Sequence, residues 1–306
     1  MSLVSLIKGR QGASGYGYAS TAEEVTEGLD LRGKNVLITG VNAGLGQETA
    51  RVLSKRGARI LALARTHEKA AEACRAFGAD AVPLACELSE PNSVRSAVDE
   101  LKKRALSLDA IICNAGIMAL PKRELHHGQE LQFLTNHIGH FILVTGLLGL
   151  LSERARVVML SSAAHTRAPA AGIQFDDLTF EHGYRPWAAY GQSKLANLLF
   201  ARSLARRFAG SGRTANAVHP GVIGTDLSRH LPLALRLVYP VASAIAMKNT
   251  AQGAATQCYV ATHPAVDGVS GEYFADCNIS KSTRLGRDAA LGDRLWSVTE
   301  SIVAQL

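Results

Sequence analysis

The stretch Thr39-Gly40-Val41-Asn42-Ala43-Gly44-Leu45-Gly46 decides the fold. It follows the apolar run Asn35-Val36-Leu37-Ile38 and runs into a helix-period segment from Gln47 to Arg56. Glycines between a strand and a helix allow a tight turn, let backbone approach a pyrophosphate, and let the two elements pack closely. The helix N-terminus adds a positive dipole end. Three glycines alone would mean only a turn; the strand before and the helix after supply the context that the motif requires. Outward from it, strand-like runs recur at 35–39, 58–64, 81–85, 110–113, 156–160, 214–218 and 272–274. Between them lie helix-period segments at 47–56, 68–77, 92–105, 129–151 and 187–208, and 288–306 reads as a closing amphipathic helix. This alternation predicts an α/β fold: one doubly wound domain whose seven-stranded, mostly parallel sheet carries helices on both faces and binds ligand at strand carboxyl ends.

Composition narrows the function. The chain has 306 residues, 47% of them hydrophobic and 19% charged, which is enough to bury a sizeable core. The five cysteines (Cys74, Cys86, Cys113, Cys258, Cys277) are scattered, with no Cys-x-x-Cys pair, so neither a disulfide framework nor a zinc knuckle is expected and a reducing cytoplasm fits. The formal net charge is +7, yet the basic residues are dispersed without aromatic interleaving, which argues for a phosphate-bearing small molecule over nucleic acid. The oiliest stretches are 141–151, too short to span a bilayer, and 231–247, broken by Pro232, Arg236 and Pro240, so no transmembrane segment is expected. Residues 1–30 read as an N-terminal arm, with Thr21 and Glu24 at capping-box spacing, and 31–306 as the domain.

Further elements follow in order: Asn114-Ala115-Gly116 after the fourth strand, Ser161-Ser162 ending the fifth, Tyr190-Gly191-Gln192-Ser193-Lys194 opening the long helix, and Pro220-Gly221 with Thr225 after the sixth. With the Gly-x-x-x-Gly-x-Gly spacing, this series resembles the short-chain dehydrogenase/reductase superfamily over about residues 31–280. The strings Asn136–Phe141, Ser193–Asn197 and His219–Gly221 are similar to its retinol-dehydrogenase-like branch. The resemblance implies a Rossmann-type domain, a catalytic tetrad of Asn136, Ser162, Tyr190 and Lys194, and a substrate lid at about 222–250. It also implies a nicotinamide cofactor held by Gly40, Asn42, Ala43, Gly44, Leu45, Gly46, Arg65, Thr66, Glu87, Leu88, Asn114, Ala115, Gly116, Tyr190, Lys194, Pro220, Gly221 and Thr225. A homodimer or homotetramer follows by analogy only.

The residue types suit the chemistry. Reducing a carbonyl needs a proton donor at oxygen, and a phenol with an ordinary pKa near 10 exchanges reluctantly at neutral pH. Lys194, one helical turn after Tyr190, is expected to lower that pKa and to reach the nicotinamide ribose. Ser162 would bond the substrate oxygen, and the resemblance gives Asn136 a water linked to the lysine.

Two departures stand out. The acceptor after the third strand is Glu87 in Cys86-Glu87-Leu88, where the superfamily usually has Asp, and Ser162 and Tyr190 are 28 positions apart, which makes 163–186 an enlarged loop over the substrate pocket. Strand two ends Leu63-Ala64-Arg65-Thr66 without an acid, so Arg65 favours the 2′-phosphate of NADP(H) over NAD(H). His126-His127 and His137-x-x-His140 lack a carboxylate or cysteine at ligand spacing, so no metal is expected. Cys113 reads as a buried apolar residue, and Asp176-Asp177 as a turn cap. The expected activity interconverts a carbonyl and an alcohol on a largely apolar substrate of the retinol, steroid or polyketide class, the apolar residues Leu227 to Val241 lining its lid. The alternatives are reduction of a carbon–carbon double bond on the same fold, and a non-catalytic NADP(H)-sensing protein.

Overall fold

The computed structural model describes residues 11–222 and 247–306. Eight strands form the main sheet: β1 (Asn35–Thr39), β2 (Arg59–Ala64), β3 (Val82–Ala85), β4 (Leu108–Cys113), β5 (Leu151–Leu160), β6 (Thr214–His219), β7 (Tyr273–Ala275) and β8 (Asn278–Ile279). Their spatial order is 3-2-1-4-5-6-7-8, and each neighbouring pair is parallel except β7 with β8. The order reverses between β1 and β4, which opens a crevice at their carboxyl ends.

Successive strand residues serve opposite faces. Leu37, Ile111, Val157 and Met159 pack towards α3 (Pro91–Arg104), α4 (Gly139–Gly146) and α5 (Pro186–Arg207). Val36, Ile38, Ile112 and Val158 pack towards α1 (Gly44–Lys55), α2 (His67–Cys74) and α6 (Thr250–Thr262). Burial on both faces is why these strands are apolar at nearly every position. The final helix, α7 (Ala289–Gln305), lies against α5, with Trp296 stacked on Phe200. Among the described residues, no helix is long and apolar enough to cross a membrane.

The eighth strand was not expected. It forms a hairpin through Asp276 and Cys277, both at positive φ (51° and 63°), a two-residue geometry that ordinarily favours Asn or Gly; Asp-Cys gives little sequence signal. The expected helix 129–151 is also divided. Leu125–His126 and Gln129–Glu130 form a small hairpin, Leu131–Phe133 starts the helix, Leu134–Ile138 is a π-helical turn, and α4 ends at Gly146. Buried Glu130 sets the start by accepting from the Phe133 amide at 2.8 Å. After α4, leucines 150 and 151 pass directly into β5, which apolar content alone could not separate from helix.

In residues 11–30 both capping-box bonds between Thr21 and Glu24 form, and Asn278 ties the segment to β8 through Ser14 and Tyr16. The loop 163–186 is tied to the rest of the chain by hydrogen bonds. Arg123 donates to the Thr179 carbonyl (2.7 Å), Tyr184 donates to Leu120 (2.9 Å), and the Gln174 amide donates to Gln192 (2.9 Å). Asp177 accepts from the amides of Glu181 and His182, as a turn cap does.

Candidate active site

The glycine-rich turn is built by close approach. A Cβ at Gly46 would lie 2.2 Å from the Gly40 carbonyl oxygen, and Gly40, at φ +73°, leaves only 3.0 Å to Ala115 Cβ. Asn114 holds the two loops together by donating from Nδ2 to the Thr39 carbonyl (2.9 Å), while Gln257 donates to Asn114 Oδ1 (3.3 Å). Ala43, at the N-cap of α1, supplies no side-chain cap, so the first-turn amides remain available to an anion. A backbone cradle closed to any side chain, beside an uncapped helix start, fits the pyrophosphate of a dinucleotide.

Around it, the structure brings four sequence-predicted side chains together. Asn136 sits in the π turn, with Oδ1 accepting from the Ile117 amide (2.8 Å) and Nδ2 donating to Ile117 O and Ser193 Oγ (both 2.9 Å). A Cβ on Gly116 would meet Asn136 Oδ1 at 2.9 Å and Lys194 Nζ at 3.3 Å, so only glycine fits between them. Lys194 is buried and donates to the Leu160 carbonyl (3.0 Å), its Nζ lying 5.7 Å from the Tyr190 ring centroid. Ser162 acts on the Tyr190 hydroxyl to lower its pKa, and its Oγ accepts from the Ala164 amide (3.1 Å).

Thr39 and His140 order this site. Thr39 Oγ1 accepts from the amides of Asn114 (2.9 Å) and Ala115 (3.0 Å), so its own proton goes to His140 Nε2 (2.9 Å). His140 must then carry its proton on Nδ1 and donate to the Asn136 carbonyl (2.9 Å). Burial lowers the His140 pKa to about 4, which keeps it in that neutral form. The string Asn136–Phe141 held the signal, because His140 lies one turn after Asn136. His219, at the end of β6, is likewise neutral with its pKa lowered to about 4 by burial, and its Nδ1 accepts from the amides of Ala163 and Gly221.

The electrostatics differ from the sequence expectation. Burial raises the Tyr190 pKa to about 12, partly opposed by the Ser162 hydrogen bond, and burial lowers the Lys194 pKa to about 8. Lys194 is not among the groups that shift the phenol here; its ammonium donates to the Leu160 carbonyl and lies 5.7 Å from the ring centroid. A lysine whose pKa falls from 10.5 to about 8 on folding costs roughly 3 kcal/mol at neutral pH. The unfolded chain holds the extra proton between those values, so the cost is relieved as pH rises from about 8 towards 10.5. Lys194→Met should therefore raise the Tm of the cofactor-free protein by a few degrees at pH 7, with an advantage that shrinks by pH 9.5. Asn197 still satisfies the Leu160 carbonyl in the variant (3.0 Å). Scanning calorimetry at both pH values checks this; a lower Tm at pH 7 contradicts it.

Other candidate residues occupy the rim. Arg65 is exposed where β2 ends, whereas the Thr66 hydroxyl caps α2 by accepting from the Lys69 amide (3.4 Å). Glu87 accepts from Ser89 Oγ (3.0 Å), and Leu88 is buried, with its carbonyl and Cβ against Gly139. Pro220 and Gly221 follow β6, and Gly221, at φ +95°, packs on the buried stem of Lys248, whose ammonium pairs with Asp276 at 2.6 Å. Thr225 and most of the expected lid, including Leu227 to Val241, lie outside the described residues. Cys113 is fully buried, with its thiol pKa pushed up by burial, and His137 is buried with its pKa lowered to about 3. His126 and His127, which have no carboxylate at ligand spacing in the sequence, do have one in space: the fold brings Glu90 against both, across 36 and 37 positions.

Residues 40–275 match the family model described as Enoyl-(Acyl carrier protein) reductase. The chain is also 41% identical to the short-chain dehydrogenase TIC 32 B, chloroplastic, of Brassica napus, over the whole of both chains. It belongs to the short-chain dehydrogenase/reductase family. Another relative in that family, retinol dehydrogenase 14 of Mus musculus, is 39% identical over 90% of this chain and 87% of its own length. Among solved structures, a short-chain dehydrogenase from Burkholderia cenocepacia in complex with NADP superimposes with a TM-score of 0.63, at 25% identity over 80% of this chain and 96% of that one.

Proposed function

We propose that this short-chain dehydrogenase/reductase interconverts a carbonyl and an alcohol on a largely apolar substrate, with NADP(H) preferred over NAD(H). The observation that carries the reaction is the buried Tyr190 phenol, influenced by Ser162 and lying beside Lys194, whose Nζ is 5.7 Å from the ring centroid. Bound NADPH supplies the hydride. Ser162 and Tyr190 hold the carbonyl oxygen. The phenol O–H bond then breaks as the alcohol O–H forms, and the phenolate left behind takes a proton back from solvent. Asn136, fixed from one side by Ile117 and from the other by Ser193, keeps the wall beside Lys194 in register.

Apolarity of the substrate is supported by where the surface is oily. Among the described residues, five large apolar side chains are exposed, and three of them border this site. Met118 follows the Asn114–Gly116 turn, Trp187 lies edge-on to Tyr190 with ring centroids 6.1 Å apart, and Val222 follows Gly221. Single exposed apolar residues mean little, but three around one crevice make a ligand surface. NADP(H) is supported by Arg65, by the absence of an acid at the end of β2, and by the NADP-bound relative.

The test is NADPH and NADH consumption across aldehydes, ketones and α,β-unsaturated carbonyls of graded apolarity. Turnover of apolar aldehydes or ketones with NADPH is the expected result. Saturation of the double bond with the carbonyl left intact would replace this reading with the reductase alternative, and cofactor binding without turnover would replace it with a sensor.

A further inference from the structure

The histidine pair at 126–127 has no part in the reaction just described. It sits in the hairpin Leu125–His126/Gln129–Glu130, closed by His127 and Gly128 at φ 49° and 72°. That left-handed position suits Asn or Gly best, and histidine there carries some strain. Its consequence is that two consecutive imidazoles turn to the same side. Their rings meet edge to face with centroids 4.4 Å apart, and both Nε2 atoms reach the same carboxylate, His126 to Glu90 Oε1 at 2.5 Å and His127 to Glu90 Oε2 at 2.9 Å. Glu90 occupies the N-cap position of α3 yet makes no capping bond with its side chain, which is turned to the histidines instead. All three side chains are about two-fifths exposed and accessible from solvent.

We propose that Glu90, His126 and His127 form a site for a divalent transition ion of the zinc class, with solvent completing its coordination. The candidate ligand atoms lie within 4.8 Å of one another. Two imidazole nitrogens and one carboxylate oxygen suit zinc, cobalt, nickel or copper, whereas magnesium and calcium favour all-oxygen sets. With metal–ligand bonds of about 2.0–2.2 Å in a tetrahedral arrangement, each nitrogen–oxygen separation becomes roughly 3.3 Å. The present 2.5 and 2.9 Å contacts would open by less than about 1 Å, which side-chain rotation supplies. Coordination needs neutral imidazoles and an ionised carboxylate, so the ion takes the place of the protons now shared between them and releases any that made a ring cationic. The ion would join two segments that are far apart in sequence: the turn after β3 that carries Glu87 and Leu88, and the hairpin that leads into the π turn of Asn136.

The test uses the full, untagged chain titrated with Co²⁺, followed by visible d–d absorption, with Zn²⁺ added as competitor. One Co²⁺ per chain, displaced by Zn²⁺ and not by Mg²⁺, is expected, together with a Zn²⁺-dependent rise in Tm. His127→Asn removes the ligand while keeping a residue that tolerates the left-handed turn, and Glu90→Gln removes the anionic oxygen at nearly constant shape. Each variant should bind Co²⁺ at least about tenfold more weakly and lose the Zn²⁺-dependent Tm rise. Absence of the Co²⁺ spectrum in the native protein overturns the proposal. So does a spectrum unchanged in both variants, because the ion would then sit elsewhere, for instance at the part-exposed Cys74.

Discussion

Tyr190→Phe is expected to lower kcat for carbonyl reduction by about 10²–10⁴, the span typical of a lost general acid. The KM for NADPH should change little, since the ring stays packed and Lys194 keeps its bond to the Leu160 carbonyl. Ser162 retains the Ala164 amide as a partner, so the substitution leaves no new orphaned group beside it. The pH profile adds a second reading. With its pKa raised to about 12, the phenol stays protonated throughout the neutral range, so native reduction should be flat with pH there. Alcohol oxidation runs the other way and should accelerate as pH rises, because the phenol must first give up its proton. Steady-state kinetics of both directions from pH 6 to 9 checks this. Near-native kcat in the Phe variant would remove Tyr190 from the role of donor.

The parts of this site that were legible in the sequence are those set by local geometry. Gly40, Gly44 and Gly46 are needed within one turn, between a strand and a helix whose patterns are themselves local. Tyr190 and Lys194 are one turn apart on α5, so their joint placement follows from helical spacing alone. What stayed hidden depends on contacts between distant residues or on rare backbone states. Glu90 meets His126 only because the turn after β3 and a hairpin downstream of β4 end side by side. The β7–β8 turn relies on Asp276 and Cys277 in a conformation neither residue advertises. The direction of the Tyr190 pKa shift depended on how deeply the phenol is buried, which helical spacing does not show.

Arg65→Asp isolates cofactor choice, because the role proposed for that side chain follows from charge alone. Arg65 is exposed where β2 ends, and among the described residues it makes no hydrogen bond or ion pair, so its guanidinium is available to a ligand phosphate. Thr66 is less available, since its hydroxyl already serves as the cap of α2. A hydrogen bond to a charged group contributes about 1.5–3 kcal/mol, or roughly one to two decades of affinity. The substitution removes that donor, adds repulsion against a 2′-phosphate, and offers the ribose hydroxyls of NAD an acceptor. The ratio of kcat/KM for NADPH over NADH should therefore fall by more than about one to two decades and approach inversion. Turnover at saturating cofactor should stay close to native, because the hydrogen bonds of Lys194 to Leu160 and of Ser162 to Ala164 do not involve Arg65. The native enzyme is measured first, and a preference for NADH there refutes the assignment. A native preference for NADPH that survives Arg65→Asp unchanged would move phosphate recognition to the turn around Asn42, leaving Arg65 to pack against the adenine.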